Sequence, residues 1–125
     1  MSERQTILIV EDDEDLRRLF RTALLLGGFD VIEAADGLEA LQRIDQVVPD
    51  LVILDLVLPG VSGTAVQQEL AAQAVTKDIP IVVITGSYVD PADLHVACLL
   101  RKPITPDQLI ETVRTCLAAS QGGAV

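Results

Sequence analysis

Two short apolar runs in this chain each end in carboxylates. Ile7–Val10 is followed by the acids Glu11–Asp13, and Leu51–Leu54 is followed by Asp55. A four-residue apolar run closed by an acid predicts a buried parallel strand whose carboxyl end carries function. Two such strands lying side by side would gather their acids in one crevice, where mutual repulsion is costly unless a cation or a phosphoryl group offsets it. The pattern therefore predicts a divalent metal site beside a nucleophilic carboxylate.

Apolar runs alternate along the whole chain with stretches of helical periodicity, and short Gly, Pro and Asp segments separate them. This alternation predicts strand-helix units and a parallel α/β sheet. Five such units favour a flavodoxin-like, doubly wound (βα)5 fold with strand order 2-1-3-4-5, in which the first and third strands are neighbours. The predicted strands are 6–10, 31–34, 51–54, 79–84 and 96–100. The residues expected to face inward from the first, second and last helices are Leu16, Leu19, Phe20, Ala23 and Leu24; Leu38, Leu41 and Ile44; and Leu109, Val113 and Leu117.

Composition narrows the classes of function. The chain has 19 acidic and 9 basic residues and a net charge of −10, which repels nucleic acid and anionic membranes, so we expect neither as a direct partner. The 125 residues fit a single domain, with a core at about 6–119 and a frayed tail at 120–125. A polar N-terminus and a short first apolar run predict no signal peptide and no spanning segment, and the cytoplasm is the expected location.

The cysteines and the single histidine do not suggest a catalytic or zinc site. Cys98 and Cys116 are 18 residues apart, without a Cys-x-x-Cys pattern. One histidine is too few to complete a common zinc set, so we expect both thiols to be reduced core residues. We interpret His95 as a solvated loop residue or helix end and assign it no role in phosphotransfer.

From Ile7 to about Ala118 the chain resembles the receiver domain of two-component response regulators. Each matching motif is weak alone, but all of them fall in order at the ends of predicted strands. The motifs are Glu11-Asp12 after strand one, Leu54-Asp55-x-x-Leu58-Pro59-Gly60 after strand three, Thr85 after strand four and Lys102-Pro103 after strand five.

The resemblance implies the chemistry of a phosphoacceptor. Asp55 would attack the phosphoryl group of a phosphohistidine, and Mg²⁺ would offset charge on the transferring oxygens. The donor would be a histidine kinase or a histidine phosphotransfer protein, and the phosphorylated chain would bind a downstream protein. Beyond this self-phosphorylation and slow self-hydrolysis, no enzymatic activity is expected.

The resemblance also assigns roles to the residues around Asp55. Asp12 and Asp55 would bind Mg²⁺ directly, Glu11 would do so through a water, and the backbone carbonyl of Val57 would add another oxygen. Around the phosphoryl group, Lys102 would pair with its oxygens, and the Thr85 hydroxyl would donate a hydrogen bond to one of them. The Lys102-Pro103 peptide bond is expected to be cis.

Simpler explanations exist for several of these residues. Acids at 11–15 also suit the first turn of a helix, where the macrodipole favours them, and Asp13 is expected to be the N-cap of that helix. Asp55 alone would suit the polar end of a strand, and Thr85 and Lys102 would individually suit turns or the surface. For Asp55 the simpler explanation loses weight because its partner residues occur with it, whereas Asp13 keeps its capping role.

Three other functions are alternatives to a receiver. A phosphatase of the haloacid dehalogenase type normally needs a second Asp two residues after the nucleophile, where this chain has Val57. A flavodoxin-like cofactor site would place hydroxyls and Gly after strand one, where this chain places acids. A receiver-like interaction module that no longer takes phosphate is the remaining alternative, and the intact set Asp12, Asp55, Thr85 and Lys102 argues against it.

Two departures from the family pattern concern the output face. Most receivers carry Tyr or Phe three residues before the strand-five lysine, and this chain has Leu99. A Leu offers neither a hydroxyl nor an aromatic edge for coupling to the threonine. Sixteen residues separate Thr85 from Lys102. After a loop at 86–90 and a strand at 97–101, six remain for a fourth helix, a piece of about 9 Å. That helix is therefore predicted to be short or unformed.

A tyrosine close to Thr85 is a candidate for the missing ring. Thr85-Gly86-Ser87-Tyr88 resembles the Thr-Gly-x-Tyr core of the FAT GUY receivers, an atypical subgroup that also lacks the strand-five aromatic residue, although Val83-Ile84 replaces its Phe-Ala. This resemblance implies that Tyr88 is the switch residue. The alternative is a tyrosine that only covers the end of the sheet.

Overall fold

Five parallel strands form one sheet in the computed structural model, which describes residues 4–86 and 96–122, with the side chains of 121–122 excepted. The strands are β1 (Thr6–Val10), β2 (Asp30–Ala34), β3 (Leu51–Asp55), β4 (Ile81–Thr85) and β5 (Cys98–Arg101). Their order, β2-β1-β3-β4-β5, confirms the predicted 2-1-3-4-5 topology. Val10 pairs with Leu54, so the carboxyl ends of β1 and β3 lie side by side.

Four helices occur within the described residues: α1 (Glu14–Leu26), α2 (Gly37–Gln46), α3 (Gly63–Ala72) and α4 (Pro106–Gly122). This number fits a short or absent helix between β4 and β5, although residues 87–95 lie outside the described part of the chain. The helix α4 continues through 120–122, a stretch expected from the sequence to be a frayed tail. None of the helices described has the length and apolar character that crossing a membrane requires.

Helices cover both faces of the sheet, and alternating strand residues face the two layers. One apolar cluster joins the sheet to α1 and α4, and the other joins it to α2 and α3. The strands are nearly continuous apolar runs because both of their faces are buried. The first cluster includes Ile7, Ile9, Phe20, Leu24, Leu51, Ile53, Val82, Ile84, Leu109 and Val113. The second includes Leu8, Val10, Ala40, Ile44, Val52, Leu54, Val66, Leu70, Ile81 and Val83.

The helix starts follow the capping pattern in the sequence. Asp13 is the N-cap of α1, as predicted. At α2, Asp36 Oδ1 accepts a hydrogen bond from the Glu39 amide at 2.8 Å. Before α4, Thr105 Oγ1 accepts from the Gln108 amide at 3.1 Å, and Gln108 Oε1 accepts from the Thr105 amide at 2.8 Å. These side chains satisfy amides that have no partner within the helix.

Two leucines predicted to be buried are exposed. Leu19 of α1 is 45% exposed and Leu38 of α2 is 57% exposed. Successive helical residues point about 100° apart around the helix axis. Phe20 and Gly37 face the sheet, so the adjacent residues Leu19 and Leu38 point towards solvent. The prediction was wrong here because it assumed apolar faces wider than the sheet covers.

The fourth and fifth strands begin later than predicted. β4 starts at Ile81 rather than at Ile79, whose amide instead closes a turn on the Thr76 carbonyl at 3.0 Å. β5 starts at Cys98, although the Ala97 amide already donates to the Ile81 carbonyl at 2.9 Å. Each of these strands also ends one residue later than predicted, β4 at Thr85 and β5 at Arg101.

The two cysteines are free thiols on neighbouring elements. Cys116 of α4 is buried as predicted, whereas Cys98 of β5 is only partly buried. Burial, together with a hydrogen bond to Cys98, raises the pKa of the Cys116 thiol to about 12. Cys116 is therefore a protonated core residue at neutral pH rather than a nucleophile.

The start of α3 packs directly on the end of β3. A Cβ atom on Gly63 would lie 2.2 Å from the Asp55 carbonyl oxygen and 2.5 Å from the Leu56 Cα. Both neighbours are backbone atoms, which cannot move aside as a flexible side chain would. Only a residue without a Cβ atom therefore lets α3 pack this closely on the backbone that carries Asp55.

We expect Gly63→Ala to lower the free energy of unfolding by about 2 kcal/mol, the usual magnitude for overpacking a tight site. Urea denaturation followed by circular dichroism would measure it. Gly86→Ala is the matched control, because a Cβ there meets nothing within 4 Å among the residues that the structure describes. Equal stability of the two variants would contradict the proposed backbone clash.

Candidate functional site

Three acids from the ends of β1 and β3 meet at one edge of the sheet. Glu11, Asp12 and Asp55 each offer a carboxylate oxygen, and these oxygens lie within 4.8 Å of one another. Glu11 is 2% exposed and Asp55 is 5% exposed, whereas Asp12 is open to solvent. The sequence pattern predicted that these acids would lie in one crevice, and the structure brings them together.

Lys102 lies between the two buried carboxylates. Its Nζ is 2.7 Å from Glu11 Oε1 and 2.8 Å from Asp55 Oδ2. Burial lowers the pKa of Lys102, but the hydrogen bonds to Asp55 and Glu11 and their charges outweigh it and raise the pKa overall. The ammonium is therefore fully charged and compensates two acids that would otherwise repel each other without solvent.

Asp55 is held at both carboxylate oxygens. The Val57 amide donates to its Oδ1 at 2.9 Å, and Lys102 donates to its Oδ2. The first bond comes from the loop after β3 and the second from the residue after β5. Together they fix the carboxylate plane, and each oxygen keeps lone pairs for a metal ion or a phosphoryl group.

The carboxyl group of Glu11 has a raised pKa. Burial raises its pKa to about 7, against the lowering effects of the hydrogen bonds from Lys102 and from the Asp13 amide. The charge of Asp55 raises it further. Near neutral pH this carboxyl group therefore exchanges its proton readily, and a cation bound beside it would favour the ionised form.

Thr85 ends β4 beside the acids. It is fully buried, and its backbone carbonyl accepts a hydrogen bond from the Lys102 amide at 2.9 Å. Asp55 pairs with Ile84 in the sheet, so Thr85 follows one residue beyond that pair. The strand ends therefore place Thr85 and Lys102 next to each other and close to Asp55, although the roles of their side chains stay predictions.

Other predicted features have mixed outcomes. The Lys102-Pro103 peptide bond is cis, as the resemblance implied. Leu99 is partly buried and packs against the apolar cluster shared by α2 and α3. Tyr88 and His95 lie outside the described residues, so their interpretations stay predictions. The Val57 amide faces Asp55, and the role of its carbonyl as a ligand is likewise still a prediction.

Arg17 contacts the site but was not identified from the sequence. Its Nη1 donates to the Glu11 carbonyl oxygen at 2.8 Å, and its Nε lies 3.2 Å from Glu33 Oε1. A signal was present, because Arg17 precedes the buried residues Phe20 and Leu24 by three and seven positions and so shares their inward face. An arginine on an inward face indicates a specific polar partner.

The chain belongs to the response regulator receiver domain family, whose model matches residues 7–114. It is 34% identical to a probable transcriptional regulator, ycf27, from Porphyridium aerugineum, over 92% of this chain and 49% of that protein. It is 36% identical to the DNA-binding response regulator MtrA of Mycolicibacterium paratuberculosis, over 91% of this chain and 52% of that protein. The chain thus spans about half the length of these curated relatives.

Solved structures show the same fold. The chemotaxis response regulator CheY4 of Vibrio cholerae superposes with a TM-score of 0.84 at 26% identity, covering 91% of this chain and 99% of that one. Receiver domains bind Mg²⁺ at an acidic pocket, and this chain has the cluster Glu11, Asp12 and Asp55. Three carboxylates supply the hard oxygen ligands that Mg²⁺ prefers, so the residues present fit this ion.

We expect the stability of the metal-free protein to depend on Glu11 ionisation. Folded Glu11 keeps its proton up to about pH 7, whereas in the unfolded chain it loses that proton near 4.5. The folded state therefore binds more protons across this window, and its stability falls as the pH rises through it.

Urea denaturation with a metal chelator, repeated from about pH 5 to about pH 8, would measure this effect against Glu11→Gln, which has no proton to lose. The free energy of unfolding of wild type should decline relative to that of the variant over this range. Two parallel curves would contradict the raised pKa of Glu11.

Proposed function

We propose that this chain is a phosphoacceptor that takes a phosphoryl group on Asp55 in a Mg²⁺-dependent reaction. The observation that carries the proposal is the environment of the Asp55 carboxylate: buried, 2.8 Å from a lysine ammonium and clustered with two further acids. Membership in the receiver family supports the same assignment. The donor is a phosphohistidine on a histidine kinase or a histidine phosphotransfer protein.

In this reaction an Asp55 oxygen attacks phosphorus, a P–O bond forms and the P–N bond to the donor imidazole breaks. The product is an aspartyl phosphate. When bound, Mg²⁺ supplies positive charge to the phosphoryl oxygens. Asp12 and Asp55 would hold it directly, Glu11 through a water, and the Val57 carbonyl would complete the protein ligands.

Lys102 and Thr85 act on the phosphoryl group in this proposal. Lys102 already lies 2.8 Å from the Asp55 carboxylate, so a short movement of its flexible side chain brings the ammonium to a phosphoryl oxygen. The Thr85 hydroxyl donates a hydrogen bond to another. Because the Lys102 amide is bonded to the Thr85 carbonyl, the ends of β4 and β5 respond to phosphorylation together.

The phosphorylated state changes the affinity of the chain for a downstream protein. The net charge of −10 disfavours direct DNA binding by this segment, although MtrA is described as a DNA-binding response regulator and is about twice as long. The proposed activity includes self-phosphorylation and slow loss of the phosphoryl group, with no other reaction. It would take place in the cytoplasm, where kinases use ATP.

Incubation with acetyl phosphate and Mg²⁺ should add one phosphoryl group to the wild-type protein, read by intact mass spectrometry. Asp55→Asn keeps the size of the side chain but removes the nucleophile, so we expect no addition. Asp45→Asn is the matched control, since this exposed α2 residue lies outside the acidic cluster, and it should react like wild type.

Two results would contradict the proposal. Uptake by Asp55→Asn equal to that of wild type would place the acceptor elsewhere. Failure of wild type to take up phosphate, together with no change in its amide spectrum on adding beryllofluoride and Mg²⁺, would favour an interaction module independent of phosphorylation.

A further inference from the structure

We propose that Arg17 is a positioning residue for the Mg²⁺ site, which holds the peptide unit between Glu11 and Asp12 in its binding orientation. The inference rests on the proposed function, since it concerns the metal ion that this function requires. It assigns a role to a residue of α1 that does not itself offer a ligand.

The Glu11 backbone is fixed at both of its polar groups. Its amide donates to the Ala34 carbonyl of β2 at 3.1 Å, and its carbonyl accepts from Arg17 Nη1 at 2.8 Å. The Glu11 carbonyl and the Asp12 amide belong to one planar peptide unit. Arg17 therefore sets the direction in which the chain enters Asp12, whose exposed side chain has little packing to restrain it.

Arg17 is itself held in place by an ion pair. Its Nε lies 3.2 Å from Glu33 Oε1, and Arg21 Nη1 lies 3.0 Å from the other oxygen of the same carboxylate. The Arg17 side chain is 17% exposed, against 40% for Arg21. A planar guanidinium donates in two fixed directions at once, here to a carbonyl and to a carboxylate, which an ammonium does less well.

An effect of charge alone would have the opposite sign. Removing a cation near three acids makes the local potential more negative and should strengthen Mg²⁺ binding. Losing a contact that orients a ligand should weaken it, by about tenfold or more for residues behind the ligands of a metal site. The direction of the change in Mg²⁺ affinity therefore separates the two explanations.

The test compares the Mg²⁺ affinities of wild type, Arg17→Gln and Arg17→Lys, measured by isothermal titration calorimetry and by the amide shifts of residues 11–13. We expect both Arg17 variants to bind Mg²⁺ about tenfold more weakly. Arg21→Gln is the matched control, because it removes the same charge and the other Glu33 pair but has no bond to Glu11. It should bind Mg²⁺ as wild type does or slightly more tightly.

A second readout separates positioning from a general loss of structure. At saturating Mg²⁺ the rate of phosphorylation by acetyl phosphate should return close to that of wild type in Arg17→Lys, because only metal affinity is impaired. Circular dichroism establishes that each variant is folded. If Arg17→Gln fails to fold, Arg17→Lys decides, since it keeps the charge and the aliphatic stem.

Unchanged or tighter Mg²⁺ binding by Arg17→Lys would overturn the inference. Equal weakening in Arg21→Gln would also overturn it, because the effect would then come from the Glu33 ion pairs and not from the Glu11 carbonyl. Failure of wild type to bind Mg²⁺ would overturn the proposed function together with this inference. If wild type binds Mg²⁺, the affinities of the Arg17 variants test this inference alone.

Discussion

The ion pairs of Lys102 with Glu11 and Asp55 are the interaction on which the site depends. Two carboxylates this deeply buried would repel each other and would be poorly solvated, and the ammonium offsets both effects at 2.7 and 2.8 Å. Glu11 follows β1, Asp55 ends β3 and Lys102 follows β5. The ion pairs therefore form only if these three strands end at the same edge of the sheet. The parallel 2-1-3-4-5 order provides that arrangement. The apolar clusters on both faces hold the strands in register and thereby hold the charges in place.

The balance of charge explains why the site suits a divalent cation. With all groups ionised, three carboxylates and one ammonium leave two negative charges in a small volume. Without a metal ion, Glu11 relieves part of this repulsion by keeping its proton up to about pH 7. Mg²⁺ would relieve it without protonation and would leave Lys102 available for an incoming phosphoryl group. Under the proposed function, Lys102 would thus link metal binding to phosphate recognition, because Mg²⁺ would replace it as the cation beside the acids.

Much of this arrangement could be predicted from the sequence, because the information is local. An apolar run closed by Asp55 already defines a buried strand and its functional end, and the strand order places Glu11 opposite. The exposure of Leu19 and Leu38 could not be predicted in the same way, since it depends on how far the sheet extends beneath each helix. The contact of Arg17 with the Glu11 carbonyl depends on tertiary geometry between α1 and the end of β1. Helical periodicity indicates an inward arginine there, but not which backbone atom it reaches.

Two of the hydrogen-bonded paths that lead away from the acids connect them to other strands and to α1, and they bear on the proposed response to phosphorylation. One runs from the Lys102 amide to the Thr85 carbonyl and so to the ends of β4 and β5. The other runs from the Glu11 carbonyl through Arg17 to Glu33, joining the site to α1 and β2. If Lys102 moves to a phosphoryl oxygen, Glu11 loses its cation and both paths are affected at their origin. Leu99 offers no hydroxyl or ring to carry a signal along β5. Under the proposed function, the Lys102–Thr85 backbone bond and the Arg17 link are, among the described residues, two contacts through which the strand ends and α1 would sense the state of Asp55.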